Sequence, residues 1–150
     1  MFFETSHNVF NVAALLIGCF TMLLCIVIQA VFIHLATTRL QPKIVSYVKT
    51  DRRFAAQLAF LASALVLLFS HLLQIYIWGS AMYLAGVEEN SHRAMVFAGS
   101  TYTTVGFAND PLPLGWQLVT IIMATSGLFS FGWSTSVMFL FSQALYPTER

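Results

Sequence analysis

Charge is what this sequence has least of. Of its 150 residues, 7 are Lys or Arg and 6 are Asp or Glu, 9% in all, against about 25% in an ordinary soluble domain. With 58% hydrophobic and 15% aromatic residues, too little polar surface remains to clothe a water-soluble globule. A soluble enzyme and a disordered chain are both excluded on these grounds. The net charge of +1 gives no general attraction to nucleic acid. Cysteine is scarce too: Cys19 and Cys25 fall six apart in one apolar stretch. One helix cannot bring them into a disulfide, so they read as buried, inert thiols. No nucleophile, base and orienter set and no phosphate-binding loop is present, so no enzymatic activity and no cofactor are expected.

What is there in abundance is uncharged length. Residues 5–38, 54–87 and 111–148 contain no Asp, Glu, Lys or Arg, and each gap exceeds the roughly 20 apolar residues that cross a bilayer. Spans are expected at Val12–Leu35, Ala55–Leu84 and Trp116–Leu140, the middle one long enough to tilt or project. Five of the seven basic residues, Arg39, Lys43, Lys49, Arg52 and Arg53, occupy the short connection between the first two spans. The positive-inside rule makes that connection cytoplasmic, with the N-terminus outside and the C-terminus inside. No Lys or Arg precedes the first span and no small-residue cleavage site follows it, so it is expected to remain as a helix rather than be removed as a signal. Pro42 suits a helix start, and Ile44, Tyr47 and Val48 share one face, which suggests a short interfacial helix; a solvated basic loop is the alternative. Trp78, Trp116 and Tyr146 read as interfacial anchors, and His7, His34 and His92 as interfacial residues.

The chemistry is concentrated between Ser91 and Asp110, SHRAMVFAGSTYTTVGFAND. Asn90 or Ser91 can cap a helix, about three turns reach Tyr102, and β-branched residues beside a glycine then predict an extended strand. The uncharged run Ala94–Asn109 is too short and too polar to cross the membrane, so it reads as re-entrant. Non-helical backbone at membrane depth is tolerated where it is buried in protein or lines a water-filled cavity, and the ligand suited to rings of carbonyls is a dehydrated cation.

Thr103-Thr104-Val105-Gly106-Phe107 resembles the TTVGY core of the potassium-channel selectivity filter, preceded by a pore helix and followed by a span. With His71-Leu72-Leu73-Gln74 on the second span and Gly132-Trp133-Ser134-Thr135 on the third, the chain further resembles small bacterial three-span potassium-channel-like proteins. The resemblance implies an all-α, multi-pass protein of the plasma (inner) membrane: three transmembrane helices, a re-entrant pore helix and a filter loop, assembled as a homotetramer in the lipid bilayer. It implies an extra N-terminal helix at 1–36, a basic interfacial linker at 37–54 and a pore module at 55–145. That module divides into outer helix 55–84, pore helix 91–102, filter 103–110 and inner helix 116–140. The Thr104 hydroxyl and the carbonyls of Thr104, Val105, Gly106 and Phe107 would bind potassium or another monovalent cation as the permeant ion. Thr103, Phe97, Ala108, Asn109 and Asp110 would support the filter or form its mouth, where Glu88, Glu89 and Asp110 would concentrate cations.

Two departures matter. Phe107 lacks the hydroxyl that in the family braces the filter, and Ala108 replaces a glycine. A left-handed alanine costs roughly 1–2 kcal/mol, which implies weakened potassium selectivity; the alternative is a non-conducting, channel-like scaffold with a degenerate filter. His71 and Gln74 either hydrogen-bond to the back of the pore helix or titrate and gate the pore. Ser126, Ser130 and Ser134, with Gly127 beside them, either pack helices or line a cavity. Gly132 is a candidate gating hinge, and Thr125 and Thr135 are further cavity candidates.

Overall fold

The computed structural model describes residues 11–107, 112–113 and 115–146. Within them the protein is all-helical, in the order α1 (Val12–Leu35), a π-helical turn (Ala36–Leu40), α2 (Gln41–Lys49), α3 (Arg53–Leu84), α4 (Ser91–Tyr102) and α5 (Gln117–Leu145). Three helices are long and apolar enough to cross a membrane: the continuous run Val12–Lys49, Arg53–Leu84 and Gln117–Leu145. α1 has the expected bounds. α3 starts two residues early and α5 runs five residues past Leu140, because no proline or glycine in those stretches stops the backbone ladder.

Local chemistry sets the ends of the shorter elements. Asn90 caps α4: its Oδ1 accepts from the amides of His92 at 2.9 Å and Arg93 at 3.3 Å. α2 begins with Pro42 at its first turn and is capped at Thr50, followed by Asp51, which has φ 54°. There the Asp51 amide donates to the Val48 carbonyl and the Arg52 amide to the Tyr47 carbonyl, a left-handed cap that Asp tolerates better than most residues.

The chain divides into two compact units, and each long helix contributes to both. The first comprises Met1–Leu24 and Ile75–Gly127. Its interior includes Trp78, Met82, Ala94, Ala98, Tyr102, Val119 and Met123. Trp78 is wholly buried and its indole Nε1 donates to Ser126 Oγ at 3.1 Å. It is therefore not an interfacial anchor: a partner for the N–H lets the ring enter the core. α4 is seated by glycine. A Cβ on Gly127 would overlap the Tyr102 carbonyl oxygen and lie 2.9 Å from its carbon, and one on Gly79 would meet Met95 Cα at 3.1 Å.

The second unit comprises Cys25–Gln74 and Leu128–Arg150. Ala36, Ile44, Ala59, Leu67, Val137 and Phe141 form its apolar cluster, with Tyr47 and Val48 packed against it. The face Ile44-Tyr47-Val48 of α2 is thus the one turned to protein. Cys25 is buried as expected, whereas Cys19 is exposed on α1.

Candidate functional site: the loop after α4 and a buried polar network

The loop grows out of the last turn of α4. The Thr103 amide donates to the Gly99 carbonyl at 3.0 Å, the Thr104 amide to Thr101 at 3.0 Å and the Gly106 amide to Ser100 at 3.0 Å. The Thr103 hydroxyl adds a bond to Gly99 at 2.7 Å. Three amides of the loop are thereby committed to the helix behind it. Among the described residues, none of the carbonyls from Thr103 to Phe107 accepts a hydrogen bond, and all five residues are exposed.

The segment is not the extended strand expected from its β-branched residues. Thr104 has φ 61° and Gly106 φ 69°, with Val105 between them outside the left-handed region. Glycine takes this conformation freely, while Thr104 bears a cost of roughly 1–2 kcal/mol. Local propensity is overridden by the three amide bonds to α4, which an extended chain leaving Tyr102 could not make. Phe97 is half-buried on α4, and Phe107 is 60% exposed. Ala108, Asn109 and Asp110 lie outside the described residues. Glu88 is half-buried with Arg93 at 3.5 Å, and Glu89 is exposed.

The second feature lies within the second unit. Gln29 of α1 is completely buried and serves as a hub. Its Nε2 donates to Ser134 Oγ at 2.8 Å. Its Oε1 accepts from Gln74 Nε2 at 2.7 Å and from Ser70 Oγ at 2.9 Å. Gln74 Oε1 in turn accepts from Ser130 Oγ at 3.0 Å. His71 Nε2 is 3.0 Å from Ser134 Oγ, and its ring stacks on Phe131 with centroids 4.2 Å apart. Since the Ser134 oxygen already accepts from Gln29, its proton is available to His71 Nε2 whenever that nitrogen is unprotonated. Residues of α1, α3 and α5 are joined in one polar chain.

His71 and Gln74, paired by sequence as neighbours on one helix face, are both in this network, and so are Ser130 and Ser134. Ser126 belongs to the first unit, under Trp78. All three serines are buried, so they pack rather than line a cavity within the chain. Thr125 and Thr135 are exposed and donate to the carbonyls of Ile121 and Phe131 on their own helix. Gly132 is exposed, with open space where a Cβ would stand.

Gln29 is the member sequence reasoning did not single out. Its signal was present: an amide alone in a 24-residue apolar helix is costly in hydrocarbon and marks a partner. Among the described residues no group of three or more His, Cys, Asp or Glu could hold a metal ion, and no buried side-chain nitrogen or oxygen lacks a hydrogen-bond partner. Comparison with protein-family models, with curated proteins and with solved structures finds no match for this chain.

Proposed function

We propose that this protein is a cation channel in which four copies bring the Thr103–Phe107 loop together around a common axis. The observation that carries the reading is the loop itself: amides tied back to α4, carbonyls that accept no hydrogen bond from any described residue, and a TTVGF sequence between two membrane-length helices. An ion entering such a ring exchanges its water shell for carbonyl oxygens. The change in sign of φ between Thr104, Val105 and Gly106 rotates successive peptide planes, which suits a column of carbonyls facing one side. α4 would direct its negative C-terminal end toward the pathway and favour a cation there. In the orientation predicted by the basic connection, the loop faces outward and the tail is cytoplasmic. His71 and Gln74 serve this reading by holding α3 in register with α1 and α5, rather than by lining the path.

The test is ion flux into proteoliposomes containing the full chain. The expected result is uptake of potassium with modest preference over sodium, abolished by Gly106→Val and sharpened toward potassium by Ala108→Gly. A silent native protein that conducts once Ala108→Gly is made would assign it to the scaffold class with a degenerate filter. Flux that survives Gly106→Val would place the pathway elsewhere.

A further inference from the structure

The flank of α2 opposite Ile44 carries unspent donors. Pro42, Val45, Ser46 and Lys49 share this side of the helix, and with Gln41 and Thr50 they line an open cavity of about 610 Å³. Among the described residues, the side chains of Gln41, Ser46 and Lys49 make no hydrogen bond or ion pair. Elsewhere hydroxyls turn back to their own helix, as Thr125, Thr135 and Ser136 do; Ser46 does not. The one acid within the basic connection, Asp51, is 3.3 Å from Arg53 Nε. Arg39, Lys43, Lys49 and Arg52 are exposed, and no ion pair involves them among the described residues. The helix end adds little negative character here, because the Ser46, Tyr47 and Val48 carbonyls accept from the amides of Thr50, Arg52 and Asp51.

This surface belongs to the basic connection that borders two membrane-length apolar runs, which on the positive-inside reading puts it near the headgroups. We propose that the α2 groove binds the headgroup of an anionic phospholipid: Lys49 pairs with the phosphate, Ser46 and Gln41 donate to its oxygens, and Pro42 and Val45 receive the first acyl carbons. Charge complementarity selects this occupant. Lys49 with spare donors beside it in the groove, and three further cations on the same connection with no ion pair among the described residues, match a phosphodiester, and the apolar wall matches the chain attached to it. The inference does not depend on ion conduction.

The test is lipid retention by the purified full chain, read by native mass spectrometry with phosphatidylglycerol and phosphatidylcholine supplied equally. Phosphatidylglycerol is expected to be retained over phosphatidylcholine, and Lys49→Gln is expected to reduce its retention about five-fold, the worth of one interfacial cation. Arg52→Gln, which removes an equal charge outside the groove, is expected to cost less than about half of that. Glycerol phosphate, which has the headgroup without the acyl chains, is expected not to compete. Equal retention of the two lipids would overturn the proposal, as would equal losses for Lys49→Gln and Arg52→Gln, which mean diffuse attraction. Displacement by glycerol phosphate would reassign the groove to soluble phosphates. Thermal unfolding of each variant checks that folding is intact.

Discussion

Around Tyr102 the helices of the first unit meet almost backbone to backbone, across Gly127 and Gly79, whereas around Gln29 those of the second meet through side-chain amides, hydroxyls and an imidazole. Apolar area does little to distinguish helix from helix in lipid, because the tails are as apolar as leucine. What remains is close approach, which needs small residues, and hydrogen bonding, which needs polar ones. The first unit relies chiefly on the former, with the Trp78–Ser126 bond beside it. The second relies on the latter. The difference suits what each carries: the first holds the loop backbone in place, where a shift of α4 moves every carbonyl behind it, while the second fixes the register of three helices.

This contrast can be attacked in order of expected damage. Gly127→Ala should do the most harm, because the added Cβ collides with the Tyr102 carbonyl, a backbone atom that cannot swing aside. A loss of about 3 kcal/mol or more is expected, seen as a reduced folded fraction on thermal unfolding in detergent. If Gly127→Ala is neutral, close approach is not what seats α4.

Gln29→Leu comes next. It removes the acceptor of Gln74 and Ser70 and the donor to Ser134 at once, for roughly 1–3 kcal/mol. Adding Gln74→Leu should recover part of that loss, since an apolar pair leaves fewer orphaned groups than one broken partner. A double variant whose cost equals the sum of the two singles would show the amides to be uncoupled.

Trp78→Phe keeps most of the ring but removes the bond to Ser126, and about 1 kcal/mol is expected. Thr125→Val and Thr135→Val should change stability by no more than about 0.5 kcal/mol, because those hydroxyls are exposed and bonded to their own helix. A larger drop in either would show that the hydroxyl has a partner beyond its own helix.

Much of the architecture was legible because hydrocarbon is an exacting solvent. The charge gap that ends at Arg39 predicted a first long apolar helix over α1, and Asn90 with the uncharged run after it predicted α4. The π-helical turn at Ala36–Leu40 was not legible, since nothing in ATTRL separates it from an ordinary helix. The loop after Tyr102 was misjudged because β-branched propensity is a local preference, whereas the amides of Thr104 and Gly106 answer to α4 carbonyls. Trp78 was misjudged for a similar reason: its partner, Ser126, is distant in sequence and recognisable only in space. His71 and Gln74 could be seen as neighbours on one face, but the residue that unites them sits on another helix.

Gln29 also bears on how the chain is made. Helices enter the bilayer in order of synthesis, so α1 arrives before Ser70, Gln74 and Ser134 exist to receive its amide. Until α3 and α5 follow, that amide stands in hydrocarbon unsatisfied or seeks other company, and each later helix relieves part of the penalty. The hub is thus an early debt that draws the second and third spans toward the first, giving assembly a direction that apolar helices alone would lack.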